Sequence, residues 1–360
     1  MSLGFGFGLQ YSKLSGGGNT DAFIIEVKTD NAGTSNNNQF QFTGAEGDYD
    51  VVAKQNGVVI ETFNNLSDEE TITLPSSGVY VLEVIPKEVN GFNRIAFDNK
   101  GDNDKILDTK QYGGVVWSSF ENAFYGCENM LTTATDIPDL SSVTSMRYMF
   151  RDATSANPDT SNWDVSSVTS MSYMFLNATS ANPDVSNWDV SNVTGMSFMF
   201  SDATSANPDT SNWDVSNVAT MSYMFRNATS ANPDVSNWDV SNVANMDSIF
   251  RNASSANPDT SNWDISNVAN MNSMFLNATS ANPDTSNWDV SSVTDMSFMF
   301  ENSNLSVENL TACYENWSQL SLQNNVSFSA GNTKYNASGQ AGRDTMVNTY
   351  NWTITDGGQA

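Results

Sequence analysis

Aspartate is the residue whose type and spacing most invite chemistry in this chain. Asp159, Asp184, Asp209, Asp234, Asp259 and Asp284 recur every 25 residues, and Asp164, Asp189, Asp214, Asp239, Asp264 and Asp289 form a second file. Between positions 151 and 300 stand 16 Asp, no Glu and three Arg. Carboxylates stacked about 5 Å apart repel one another, and calcium, which takes hard oxygen ligands, could bridge them. The local reading is that each Asp accepts backbone N–H bonds within its own turn. Glycoside hydrolysis needs two carboxylates in unlike environments. Identical copies supply no such asymmetry, and the chain has no histidine. That absence removes the usual general base, the usual zinc ligand and the Ser-His-acid arrangement. The expectation is a protein that is not an enzyme, with a carboxylate-only glycan-active enzyme as the distant alternative. No cofactor is implied beyond the calcium option.

A second regular feature is aromatic. The twenty-third place of each unit holds Tyr173, Phe198, Tyr223, Ser248, Ser273 and Phe298, with Tyr148 before them. Rings supply rigid contact area, so Tyr148, Tyr173, Phe198, Tyr223 and Phe298 are candidates for binding a cell-surface glycan or protein receptor. In a strand, however, positions 21, 23 and 25 share a face, and the same rings would then be core. Both readings stand on the sequence. A file of Thr154, Thr179, Thr204, Thr229, Ser254 and Thr279 lies among Ser, Ala and Asn, without the second threonine file of an ice-binding surface. Asp98, Asp102 and Asp104 in DNKGDNDK lack the closing Glu of a calcium loop and read as a solvent-exposed turn. Cys127 and Cys313 lie about seven units apart, too far for a bridge, and read as buried small side chains.

The elements that must position these residues are repeats. From Arg151 to Phe300 the chain falls into six 25-residue units without insertion or deletion. Trp recurs at 163, 188, 213, 238, 263 and 288, and Phe closes each unit. A degenerate unit ends at Phe150, and another surrounds Cys313 and Trp317. One unit is too short to bury its own apolar residues, so neighbours must stack. The run VTGMSFMF predicts a short strand in a parallel sheet, and Asn-Pro-Asp predicts a turn. Upstream, AFIIEVKT (22–29), NQFQFT (38–43), YDVVAKQ (49–55), VVIETF (58–63), ETITLP (70–75), GVYVLEVIP (78–86) and NRIAFDN (93–99) predict seven strands of a small antiparallel sandwich. Downstream, Lys334 to Tyr350 reads as a helix stopped at Asn351, and WTITDGG as a last strand.

The segments SNWDVSSVTSMSYMF from Ser161 and SNWDVSNVTGMSFMF from Ser186 resemble the repeats of the BspA-like leucine-rich repeat surface-protein family. VVWSSFENAFYGCENM and the stretch Gly331 to Gly358 continue the resemblance, while Ala181, Asn182 and Pro183 depart from the usual pattern. ETITLPSSGVYVLEVIP resembles PKD-like modules. These resemblances imply an adhesin. The resulting expectation is a mainly β chain: residues 1–20 a flexible glycine-rich attachment segment, 21–112 a PKD/Ig-like β-sandwich, 113–330 an LRR-like right-handed solenoid, and 331–360 a C-terminal cap.

The net charge of −27 opposes nucleic acid and anionic membrane surfaces, and no apolar run is long enough to span a bilayer. The expected role is a non-enzymatic binding or adhesion protein. Its setting is a phage virion, as a fibre or host-recognition component held to virion structural proteins through GFGFGL. The alternative is the bacterial cell surface. The lean to the virion rests on the start at Met1, where no secretory signal is seen.

Overall fold

The computed structural model describes residues 20–87 and 91–360. The proposed attachment segment, with GFGFGL, lies outside the described residues. What is described is mainly β with two α-helices.

Strands β1 (Phe23–Lys28), β2 (Gln39–Gln41), β3 (Asp48–Gln55), β4 (Val58–Ser67), β5 (Thr71–Thr73) and β6 (Val79–Pro86) follow the alternating runs read from the sequence. NRIAFDN is not a strand. It makes one isolated bridge, Glu46 to Arg94, because Phe97, Asp98 and Asn99 turn away to donate their N–H groups to Ala123, Asn122 and Tyr125. The strand that completes the sheet is instead β7 (Ile106–Gln111). The sheet runs β4-β3-β6-β1-β7-β8, antiparallel except for the parallel pair of β7 with β8 (Leu131–Thr132). Strands β2 and β5 form a separate antiparallel pair. Phe23, Phe40, Phe42, Tyr49 and Phe92 fill the space between with edge-on and stacked rings.

Asp102 is not in a solvent-exposed turn. It is fully buried 3.4 Å from the equally buried Lys105. Its carboxylate accepts the backbone N–H groups of Ser35 and Gln41, and Lys105 donates to the carbonyls of Ser35, Asn36 and Gln39. A buried charge survives only when paired and fully hydrogen-bonded, and β2 together with the loop before it supplies those partners.

Beyond β7 each 25-residue unit bonds to its own image. The N–H groups of Met171, Tyr173, Phe175 and Asn177 donate to the carbonyls of Gly195, Ser197, Met199 and Ser201, at 2.8–3.0 Å. The same set recurs along the stack. The predicted strand is nevertheless absent: each unit contributes one isolated bridge, such as Ser170 to Gly195. The residues that follow make successive tight turns, Met174 N to Met171 O and Leu176 N to Tyr173 O. The turns need left-handed backbone, which aromatic and β-branched residues seldom adopt. Tyr148, Tyr173, Phe198, Tyr223, Ser248, Ser273 and Phe298 all take it, at φ of 55–64°.

Ala178, Ala181, Trp188, Val190, Val193, Met196, Met199 and Phe200 are buried in one unit, and their counterparts are buried in the rest. Phe175, Phe200, Phe225, Phe250 and Phe275 stack at 5.5–5.7 Å. The tryptophans stack at 6.3–6.5 Å, each indole N–H donating 28 residues back, as Trp238 does to Thr210 O. Asn side chains tie neighbours together too: Asn207 Oδ1 accepts from Asn232 N at 2.9 Å.

The last units give way to α1 (Val307–Trp317), which the sequence reading did not separate from the repeats. Ser306 caps it, accepting from Asn309 N. Helix α2 is Gln340–Tyr350, shorter than the predicted Lys334 start, and Asn351 ends it in left-handed conformation at φ 57°. Strand β10 (Thr353–Thr355) pairs in parallel with β9 (Ser327–Ser329).

Replacing Trp238 by Ala is expected to cost about 3–5 kcal/mol. Trp238→Phe, which keeps ring area but strands the carbonyl of Thr210, is expected to cost roughly 1–2 kcal/mol. Urea unfolding followed by far-UV circular dichroism measures both.

Candidate binding face

The aspartate files have a local task. All twelve accept the backbone N–H of the serine two residues on, at 3.0–3.1 Å. In most copies the serine hydroxyl donates to the same oxygen, as Ser161 does to Asp159 at 2.7 Å. These bonds favour the charged form. The carboxyl groups of Asp159, Asp164, Asp209, Asp214, Asp259 and Asp264 sit below their ordinary range, first because of the serine hydroxyl and then the backbone N–H. Among the described residues no group of three or more acidic or cysteine side chains is gathered to hold a metal ion.

The threonine file is likewise tied inward, with Thr179 Oγ1 donating to Thr154 O at 3.3 Å. Cys127 and Cys313 are free and buried. Burial pushes the Cys313 thiol up to about 12 and that of Cys127 well above its ordinary value, so neither is a thiolate nucleophile at neutral pH. No described helix is long and apolar enough to cross a membrane.

The aromatic file behaves differently. The left-handed turn at position 23 swings the ring away from Met171 and Phe175, which stay in the core. Tyr148, Tyr173, Phe198 and Tyr223 are half-buried, and Phe298 is 52% exposed. They form one ladder, which begins a unit earlier at Tyr125. Successive centroids lie 6.1, 4.7, 4.8 and 4.5 Å apart from Tyr125 to Tyr223, with planes within 26°. At Ser248 and Ser273 the ladder stops. Both serines are buried and donate to the adjoining Asp247 and Asn272. Phe298 stands beyond this gap, apart from the five stacked rings.

Charge collects at the same face. Arg147, Arg151, Arg226 and Arg251 are the only cationic residues between 113 and 330. Arg151 lies over the Tyr125 ring at 4.7 Å and the Tyr148 ring at 5.5 Å; Arg147 lies 5.2 Å from the Tyr148 centroid. At the other end Tyr223 donates to Asp247 at 2.6 Å, and this bond, then burial, raises its phenol above the ordinary range, while Arg226 opposes the rise. The sequence reading did not single out Tyr125 or Arg147, and it counted the arginines at 151, 226 and 251 without giving them a role. The unit before Phe150 is degenerate, so Tyr125 falls outside the 25-residue count. The clustering of so few cations was visible in the sequence, as three of the four occupy the first place of a unit.

Repetition with a file of outward rings defines the class: a β-rich repeat protein with a built surface stripe. The chain belongs to the family described as "Mycoplasma protein of unknown function, DUF285", which matches residues 118–237 and 204–317, more than half of its length. The match lies on the repeats and does not reach residues 21–112. No curated protein and no solved structure matches the chain.

Without histidine, no side chain of ordinary pKa titrates between about pH 5.5 and 7.5. The depressed aspartates contribute stability that is whole above the unfolded carboxyl range, near 3.9, and is lost as pH falls through their lowered folded values. The melting temperature is therefore expected to stay flat from pH 7.5 to 5.5 and to fall below about pH 4. Chelation with EDTA at pH 7 is expected to leave it unchanged; a drop of many degrees would reinstate a structural calcium.

Proposed function

We propose that the chain is a non-enzymatic binding protein whose ladder Tyr125–Tyr148–Tyr173–Phe198–Tyr223 is the recognition face. The observation that carries this reading is the conformation of the ladder residues. Left-handed backbone at a bulky residue costs on the order of 1 kcal/mol, and Ser248 and Ser273 show that the same turn forms without a ring. Rings placed there are not required by the turn, and stacking supplies an offset of only about 0.5–1.5 kcal/mol each. Contact with a partner is the role that remains for them.

In this reading residues 113–330 are an LRR-like right-handed solenoid, 331–360 its cap and 21–112 a PKD/Ig-like sandwich. The bonds between successive 25-residue images support the solenoid. The setting is a virion, where the chain recognises the host, with GFGFGL as the attachment element. The second setting is the bacterial cell surface, favoured by the family's description as a Mycoplasma protein. Immunogold labelling of intact cells and of phage purified from them decides between the two.

The double substitution Tyr173→Ser, Tyr223→Ser is expected to abolish attachment to target cells while lowering the melting temperature by only a few degrees. Unfolding of the variant would place the rings in the core and overturn the proposal, as would full attachment by a folded variant.

A further inference from the structure

The orientation of the ladder rings restricts the chemistry of the partner. Rings stacked face to face along the stack cover one another's faces, so the three inner rings, Tyr148, Tyr173 and Phe198, are covered on both faces and are left with their edges. An aromatic face is negative and its edge positive. Apolar sugar faces stack on ring faces, and this surface offers few. What it offers is a row of electropositive edges with the phenol groups of Tyr125, Tyr148 and Tyr173 beside them. The Tyr173 hydroxyl makes no hydrogen bond among the described residues.

The guanidinium groups add to this. Arg147 and Arg151 stand at one end of the ladder; Arg226 stands at the other, with Arg251 one unit beyond. Each is partly exposed, and the Nε of each is shut off from water without a hydrogen bond. Their acidic neighbours leave donors to spare. Arg151 lies 3.4 Å from Asp152 and Arg226 lies 3.9 Å from Asp202, single contacts rather than bidentate pairs. Asp152 and Asp202 are also held by the side-chain amides of Asn177 and Asn227, and Asp247 by Tyr223 and Ser248. Arg251 makes no ion pair among the described residues. In a chain of net charge −27, every cation of a 200-residue stretch has been placed on one stripe.

Resting on the binding reading above, we infer that the ladder binds an acidic glycan, a chain of carboxylate-bearing sugars laid along the stripe. Its carboxylates pair with the guanidinium groups and its hydroxyls with the tyrosine phenols. At about 4.8 Å per step the five rings span roughly 20 Å. Nucleic acid is the poorer occupant, since its dense phosphate charge, one per ~3.4 Å of each strand, meets an acidic molecule everywhere outside the stripe.

The test uses the full chain and isothermal titration calorimetry against polygalacturonate, hyaluronate and alginate oligosaccharides. Cellohexaose is the neutral control, and a single-stranded oligonucleotide the phosphate control. Binding is expected to at least one acidic glycan and not to cellohexaose. Affinity should fall tenfold or more in Arg151→Gln, Arg226→Gln, and on raising NaCl from 50 to 500 mM. Tyr173→Phe, which removes one hydroxyl and keeps the stack, should weaken binding a few-fold at unchanged melting temperature. Equal binding of cellohexaose, preference for the oligonucleotide, binding to none of the acidic glycans, or affinity untouched by the arginine substitutions in a folded variant overturns the inference. Attachment to target cells separates this from the broader reading. Cells whose surface carboxylates have been reduced and that still hold the protein leave a binding protein without an acidic-glycan site. A protein that attaches to no cells removes both.

Discussion

Each unit of the repeat must bond to its own image in the next unit. That constraint organises the rest of the molecule. The N–H of Phe175 reaches Met199 O, Asn182 N reaches Asn157 Oδ1, and Trp188 reaches back to Thr160 O. A group that satisfies its neighbour in one unit must do so in all, so each substitution in one copy is tested against two others. Among the invariant columns of the repeat, asparagine, tryptophan and phenylalanine stack on or hydrogen-bond to the neighbouring copies. Aspartate is handled locally: the repulsion expected of stacked carboxylates is met by serine N–H and hydroxyl donors inside each turn.

The constraint also sorts the surface. Where the file must be identical, it is structural; where it varies, as at Arg151, Leu176, Ser201, Arg226, Arg251 and Leu276, the fold is indifferent. The ladder is intermediate. Its rings stack well, but two copies do without them, and the backbone pays nothing for the change because serine takes the same left-handed turn. The columns that hold the stack together and the columns free to vary are thus different columns of one repeat.

Much of this was legible in the sequence. The 25-residue period, the buried tryptophan and phenylalanine files, the aspartate turns and the first six strands all follow from spacing and patterning. The strand expected in VTGMSFMF does not form, because aromatic and β-branched content argues for extended backbone while inter-unit bonding is satisfied by alternate residues of a series of turns. The left-handed positions were in part visible: Asp152, Asn177, Asp202, Asn227, Asn252 and Asn277 are residues that tolerate them, and all sit there at φ of 57–59°. Asp102 reads as part of a solvent-exposed turn because DNKGDNDK is polar throughout and lacks the closing Glu of a calcium loop, yet it is buried with Lys105. Their burial depends on N–H groups and carbonyls of residues 35–41, more than 60 positions away, which no local pattern reveals. Helix α1 was hidden by Trp317, whose indole bonds to Thr285 O just as a repeat tryptophan would.

Strand β7 belongs to two structures at once. On one side it is antiparallel to β1; on the other it is parallel to β8, at the head of the repeats. The far end is closed by α1, β9 and the residues of α2. Stacks of identical units are in principle endless, since the last copy offers the same surface as the first and invites another chain to continue it. Here the first and last surfaces are both occupied by segments that do not repeat. The number of units is consequently fixed by the gene rather than by assembly, and the length of the stripe is a property of a single molecule.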